Sequence, residues 1–192
     1  MKVLSIGTSP DGKTLVEAGV DSAVLRPGEP VFVPEPTSDW NSSAVPVVRI
    51  GRLGMSITEA RARDYYHELT LFHMLTPVSP DAAEGLPPFI LDRALSPGRW
   101  LDISAAPSDR RFVLSATRSP IGGSDSDVLS AEASLADLGV DRVVALLSRH
   151  LTFKTGDLLV FRDCRLDFGS PQLDTEIKAA VDGEEVLDIR IK

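Results

Sequence analysis

Apolar and polar positions along this chain change their period repeatedly, and each change marks an element. The first fifty residues carry short apolar or alternating runs at Lys2 to Ile6, Thr14 to Glu17, Ser22 to Leu25, Val31 to Val33 and Val45 to Ile50, which predict short strands. Pro10-Asp11-Gly12 and Pro27-Gly28 separate them, and Pro34 with Pro36 exclude a central strand between those two prolines. Ser56-Ile57-Thr58-Glu59 has capping-box spacing, with Ser56 able to accept from first-turn N–H groups and Glu59 three positions on, so a helix is predicted over 56–65. Tyr66 to Leu75 mixes aromatics and Thr70 with aliphatics and reads as a buried strand in preference to a continued helix. Thr76 to Pro88, with Pro77, Pro80, Gly85, Pro87 and Pro88, is expected to be a mobile loop or lid.

Trp100 to Ile103 and Arg111 to Thr117 read as strands, and Gly122 to Asp127 as a polar turn. Val140 begins an amphipathic helix that runs through Leu147-Ser148-Arg149 to the turn Lys154-Thr155-Gly156-Asp157, and the apolar strand Leu158 to Phe161 follows. Glu176 to Val181 and Val186 to Ile191 form a final hairpin across Asp182-Gly183. No repeat is visible. The balance predicts a strand-rich α+β fold with two or three short helices, divided into a small N-terminal β segment over 1–40 and a main domain over 41–192.

Composition narrows the function classes. The 192 residues fit one domain or one plus an appendage, and 43% hydrophobic residues suffice for a sizeable core. Twenty-eight acidic against twenty basic residues give a net charge of −8, which repels phosphate backbones and anionic membranes, so neither nucleic acid nor membrane is an expected partner. The single cysteine, Cys164, excludes an internal disulfide and a multi-thiolate zinc site, and makes the cytoplasm the expected compartment. The apolar run Val3 to Ile6 is too short for a signal h-region, and no later stretch approaches the length of a bilayer span.

Five segments in chain order resemble the fumarylacetoacetate hydrolase family. They are Val45 to Gly51 (VPVVRIG against a usual ELAVVIG), Ser56 to Tyr65 (SITEARARDY against SEEEALDY), Leu69 to Phe72 (LTLF against YTIG), Leu147 to Leu159 with its Leu-Ser-Arg helix end and Thr-Gly-Asp turn, and the closing hairpin. Together they span about three quarters of the chain. Trp40-Asn41 also resembles the start of the sugar-acid branch. The resemblance implies a mixed β-roll, a homodimer, and an active site holding one Mg²⁺ or Mn²⁺ through two glutamates in E-x-E and an aspartate in N-D-x-x-A-R-D. In this chain the E-x-E positions fall on Ser43 and Val45, or on Ala44 and Pro46 if the gap moves by one, and the N-D pair falls on His73 and Met74. No carboxylate remains, and a thioether is a poor ligand for a hard dication. The family's lysine position falls near Phe89, and its substrate-binding T-G-T-P becomes Phe161-Arg162-Asp163-Cys164. Metal-assisted enolate stabilisation is therefore not carried over, and no cofactor is expected.

Two functions fit this pattern. One is a divergent member that acts without a metal on a small carboxylate or dicarbonyl compound, by hydrolysis, decarboxylation, dehydration or isomerisation. The other is a non-catalytic pseudoenzyme that serves as a binding or scaffolding subunit. For the first, His73 is the candidate acid or base, with His67 six residues earlier on the same face of a strand, although a histidine in an aromatic-rich strand is more often a packed core residue. Arg162 is the candidate carboxylate clamp, Asp163 a proton acceptor or orienting group, and Cys164 a nucleophile if its thiolate is favoured; the plain alternative is a surface ion pair beside an inert thiol. Arg49 either points toward the cavity or lies on the outer face, the outer face ranking first. His150 reads as a helix C-terminal contact. Asp125, Asp127 and Glu132 lack calcium-loop spacing, and Gly122-Gly123 is not followed by phosphate-loop residues.

Overall fold

The computed structural model describes residues 1–79, 88–123 and 125–192. In chain order the regular elements are β1 (Val3–Thr8), β2 (Thr14–Gly19), β3 (Trp40–Ile50), α1 (Glu59–Ala62), β4 (Tyr66–Pro77), β5 (Leu95–Ser96), β6 (Leu101–Asp102), β7 (Arg111–Pro120), β8 (Asp127–Ser134), α2 (Val140–Ser148), β9 (Leu158–Phe161), β10 (Leu166–Gly169), β11 (Thr175–Val181) and β12 (Glu184–Ile191). The loop or lid expected over 76–88 falls outside the described residues for 80–87, and Thr76 and Pro77 belong to β4.

Among the described residues the strands form two sheets. A large mixed sheet runs β2-β1-β9-β3-β4-β5, with β10 also on β3 and β6 also on β4, and its one parallel pair is β1 with β9. A smaller antiparallel sheet runs β12-β11-β7-β8. The main core lies between them and joins Leu4, Ile6, Val48, Leu69, Leu71 and Leu159 of the large sheet to Phe112, Leu114, Ile177, Val181 and Leu187 of the small one. The large sheet also buries its other face, where Val3, Val45, Val47, Phe72, Met74, Leu158 and Val160 pack under Phe89 and Leu95. Burial on both faces explains the continuous apolar runs of β3 and β9, which show no alternation. Pro46 is tolerated inside β3 because it sits opposite the gap between β10, which pairs up to Ala44, and β9, which pairs from Val47.

Residues 1–40, expected as a small N-terminal segment, have no sheet of their own. They supply β1 and β2 to the large sheet, while Val31 bridges Ile191 at the end of β12. Ser22 to Leu25, expected as a strand, is a single 3-10 turn over Asp21–Ala23, closed by Val24 N–H donating to the Asp21 carbonyl at 3.1 Å, and Val24 itself bridges Leu95. The first helix is also shorter than expected. Ser56 adopts φ +54°, its N–H donating to the Ser148 carbonyl at 2.7 Å, so Thr58 stands at the N-cap and α1 spans only Glu59–Ala62 before a 3-10 turn at Arg63–Tyr65. The closing hairpin turns at Asp182 and Gly183 with φ +53° and +80°, the geometry the Asp-Gly pair favours.

Candidate functional site

Register settles which way each candidate side chain faces. Ser43 stands directly opposite Met74, and Val45 opposite Phe72, so Ser43, Val45 and Met74 share the outer face of the large sheet. Val45 is fully buried, Met74 is 1% exposed, and both belong to the apolar cluster under Phe89 and Leu95. The Ser43 hydroxyl is buried there without a hydrogen-bond partner. This donor set, a hydroxyl, a thioether and a hydrocarbon, does not suit Mg²⁺ or Mn²⁺, which need anionic oxygens to compensate for lost water. Among the described residues no group of three His, Cys, Asp or Glu side chains is placed to hold a metal ion.

His73 pairs with Ala44 and faces the opposite way, into the main core. It is fully buried, its Nε2 lies 2.9 Å from Ser42 Oγ, its Nδ1 has no partner, and burial pushes its pKa down to about 4. The ring is neutral at physiological pH and sealed from ligands. His67 is exposed at the start of the same strand, about 20 Å away by strand rise, with its ring lying over Gly51. Arg49 is committed elsewhere: Nε donates to Glu68 Oε2 at 2.5 Å, Nη2 donates to Oε1, and its guanidinium lies 4.6 Å from the centre of the Trp100 ring.

Arg162, Asp163 and Cys164 form one 3-10 turn directly after β9. Arg162 reaches sideways to Glu17 of β2 and lies 5.8 Å from the Phe89 ring centre. Asp163 and Cys164 face a cavity of about 410 Å³ whose wall also includes Gly7, Thr8, Asp137 and Arg142. Gly7 is the point where these groups meet. A Cβ placed there would lie 3.1 Å from Arg162 Nη2 and 3.3 Å from Asp163 Oδ1, so the absent side chain is what lets the guanidinium and the carboxylate both pack against this point of the strand. Arg142, on the exposed side of α2, is a further cation on the wall, whereas Arg111 is engaged by Glu132 and Asp137. The Cys164 thiol is pushed up, first by burial and then by the nearby Asp137 charge, which leaves it protonated and a poor nucleophile.

The fold thus brings Arg162 and Asp163 together at Gly7 and puts Asp163 and Cys164 on the cavity wall, with Arg162 turned to Glu17 and Phe89, but places His73, His67 and Arg49 elsewhere. Glu17 and Gly7 were not among the residues singled out in the sequence. The only signal for Gly7 was a lone glycine inside a strand pattern, and Glu17 had none, because it sits in an ordinary alternating run.

No family model and no curated protein matches the sequence. Solved structures do match the fold. A 5-carboxymethyl-2-hydroxymuconate delta-isomerase from Mycobacterium smegmatis superposes with a TM-score of 0.75 at 17% identity, covering 99% of this chain and 78% of the isomerase. A fumarylpyruvate hydrolase from Pseudomonas aeruginosa, solved with Mn²⁺ and pyruvate, gives 0.76 at 17% identity, covering 100% and 89%. A fumarylacetoacetate hydrolase family protein from Yersinia pestis CO92 gives 0.77 at 16% identity, covering 100% and 92%. With nearly its whole length laid over such structures, the chain is a divergent form of the fumarylacetoacetate hydrolase fold.

Proposed function

We propose that the chain binds and transforms a small carboxylate or dicarbonyl compound by acid–base chemistry, without a divalent ion, beside Gly7 where Arg162 and Asp163 meet the edge of the cavity. The observation that carries this reading is the convergence of Arg162 Nη2 and Asp163 Oδ1, at 3.1 and 3.3 Å, on the point a side chain of Gly7 would occupy. Arg162 clamps the ligand carboxylate, as a planar fork of donors does well. Asp163 accepts a proton from the carbon beside a carbonyl, leaving an enolate held next to the Arg162 guanidinium. The isomerase and hydrolases that share the fold support this general class, and pyruvate in the Pseudomonas enzyme suggests the probe.

The test is deuterium incorporation at the pyruvate methyl group, followed by proton NMR with protein freed of metals by a chelator. Exchange above the protein-free rate, lost in Asp163→Asn and requiring more pyruvate in Arg162→Met, is the expected result. No exchange with pyruvate or with a panel of longer 2-oxo acids would remove the catalytic reading.

A second reading, a non-catalytic binding or scaffolding subunit, is favoured by one observation: Val45 and Met74 are packed into the apolar cluster under Phe89 and Leu95. Saturable carboxylate binding with no exchange in the same experiment would decide for it.

A further inference from the structure

Arg162 differs from the other recessed arginines. Arg49 presents two nitrogens to Glu68, Arg63 spreads its donors over the carbonyls of Tyr66, Ile103 and Ala106, and Arg118 divides its own among Asp127, Phe168 and Ser170. Arg162, with 19% of its side chain exposed, touches Glu17 Oε2 through Nη1, but that buried oxygen has no aligned hydrogen bond among the described residues. A guanidinium is best satisfied by a carboxylate that accepts from two nitrogens in line, and the Glu17 contact lacks that alignment.

The surroundings are built to the same end. Ser5 stands directly across the β1–β2 ladder from Glu17, is fully buried, and its hydroxyl has no partner among the described residues. A buried hydroxyl left unpaired is destabilising, so a nearby acceptor is favoured. Gly7 and Gly19 flank this pair on the same face. A Cβ at Gly19 would come 2.7 Å from Phe89 Cβ, as one at Gly7 would come 3.1 Å from Arg162, so two absent side chains make the room in which the guanidinium and its aromatic cover lie.

We propose that Glu17 is a built-in stand-in for the ligand: its carboxylate occupies on Arg162 the place of an incoming small carboxylate, which displaces it to accept a hydrogen bond from Ser5. This rests on Arg162 being the clamp of the proposed function and adds the control of that clamp. An internal carboxylate held beside the guanidinium competes with every incoming one, so weak acids at low concentration leave the recess closed and Glu17 sets the threshold for ligand.

The experiment is a titration of the full chain with acetate and with pyruvate at constant ionic strength, read by calorimetry or ligand NMR, on the wild type, Glu17→Gln and the double variant Glu17→Gln with Arg162→Met. Removing the competing charge is expected to lower the half-saturating concentration by about tenfold, and the double variant to lose that gain. Unchanged binding in a folded Glu17→Gln protein overturns the proposal, as does a gain that survives in the double variant. Should Glu17→Gln fail to fold, Glu17→Asp draws the carboxylate back by one methylene and is expected to shift binding in the same direction. Turnover plays no part in this readout. Tighter binding without proton exchange removes the catalytic reading and leaves the stand-in, whereas exchange dependent on Asp163 without tighter binding in Glu17→Gln does the reverse.

Discussion

Asp157 has 1% of its side chain exposed and accepts from the Lys2 amide at 2.8 Å, from Lys2 Nζ at 3.0 Å and from the Lys154 amide at 2.8 Å. One carboxylate therefore ties the chain's first strand to the turn before β9, beside the parallel ladder. Asp157→Ala strands those donors and is expected to cost on the order of 3 kcal/mol in urea unfolding. His73 carries the opposite liability. Its folded pKa of about 4 lies below the unfolded value of 6.5, so the unfolded state takes up a proton first as pH falls. Stability conferred by the neutral ring is complete above pH 6.5 and is lost as pH drops from there to about 4. The wild type should lose on the order of 2 kcal/mol more than His73→Gln between pH 7 and pH 4.5, measured by urea unfolding at both values. An equal loss in the two proteins would show that the ring does not titrate as burial requires.

Among elements, the end of α2 and the second strand have the most specific duties. Ser148 accepts from Ile57 N–H through Oγ at 2.8 Å and from Ser56 N–H through its carbonyl at 2.7 Å, which clamps the segment before α1 onto the end of α2. The Leu-Ser-Arg motif visible in the sequence is thus a helix-to-loop fastening. Ser148→Ala leaves the Ile57 N–H buried without its acceptor and should destabilise by about 1–3 kcal/mol, with faster amide exchange at Ile57 as the local readout. In β2, Gly19 allows Phe89 to close over the large sheet: Val20 N–H donates to the Phe89 carbonyl at 3.1 Å, and a Cβ at Gly19 would stand 2.5 Å from that carbonyl oxygen. Because the obstacle is backbone, Gly19→Ala cannot be absorbed by a side-chain rotation. It should break this hydrogen bond and speed amide exchange at Val20, with a lower thermal midpoint.

For the whole molecule, the strongest consequence concerns the divalent ion. Ser43, Val45 and Met74, where the resemblance puts the family's metal ligands, offer no carboxylate, so calorimetric titration with Mg²⁺ or Mn²⁺ should show no tight binding, and a chelator should leave the melting temperature unchanged. Tight binding, or a chelator-dependent shift, would refute that reading of the site. Much of the framework was legible beforehand: β9 and the strand of β4 follow from apolar runs too long for one-sided burial, and the last hairpin from Asp182-Gly183. The site was legible only in part. Arg162 and Asp163 stand out because two charges follow an apolar strand at once, but His73 offered the same attraction and lies on the other side of its sheet, since one residue along a strand reverses the face. Local pattern and spacing by themselves determined the strand-rich class and the helix at Val140–Ser148, because each depends on residue identity at short range. Only the tertiary structure decided that Glu17 meets Arg162, that Arg162 and Asp163 both pack against Gly7, and that His73 is sealed in the core, because these depend on strand register and on pairing between segments distant in the chain.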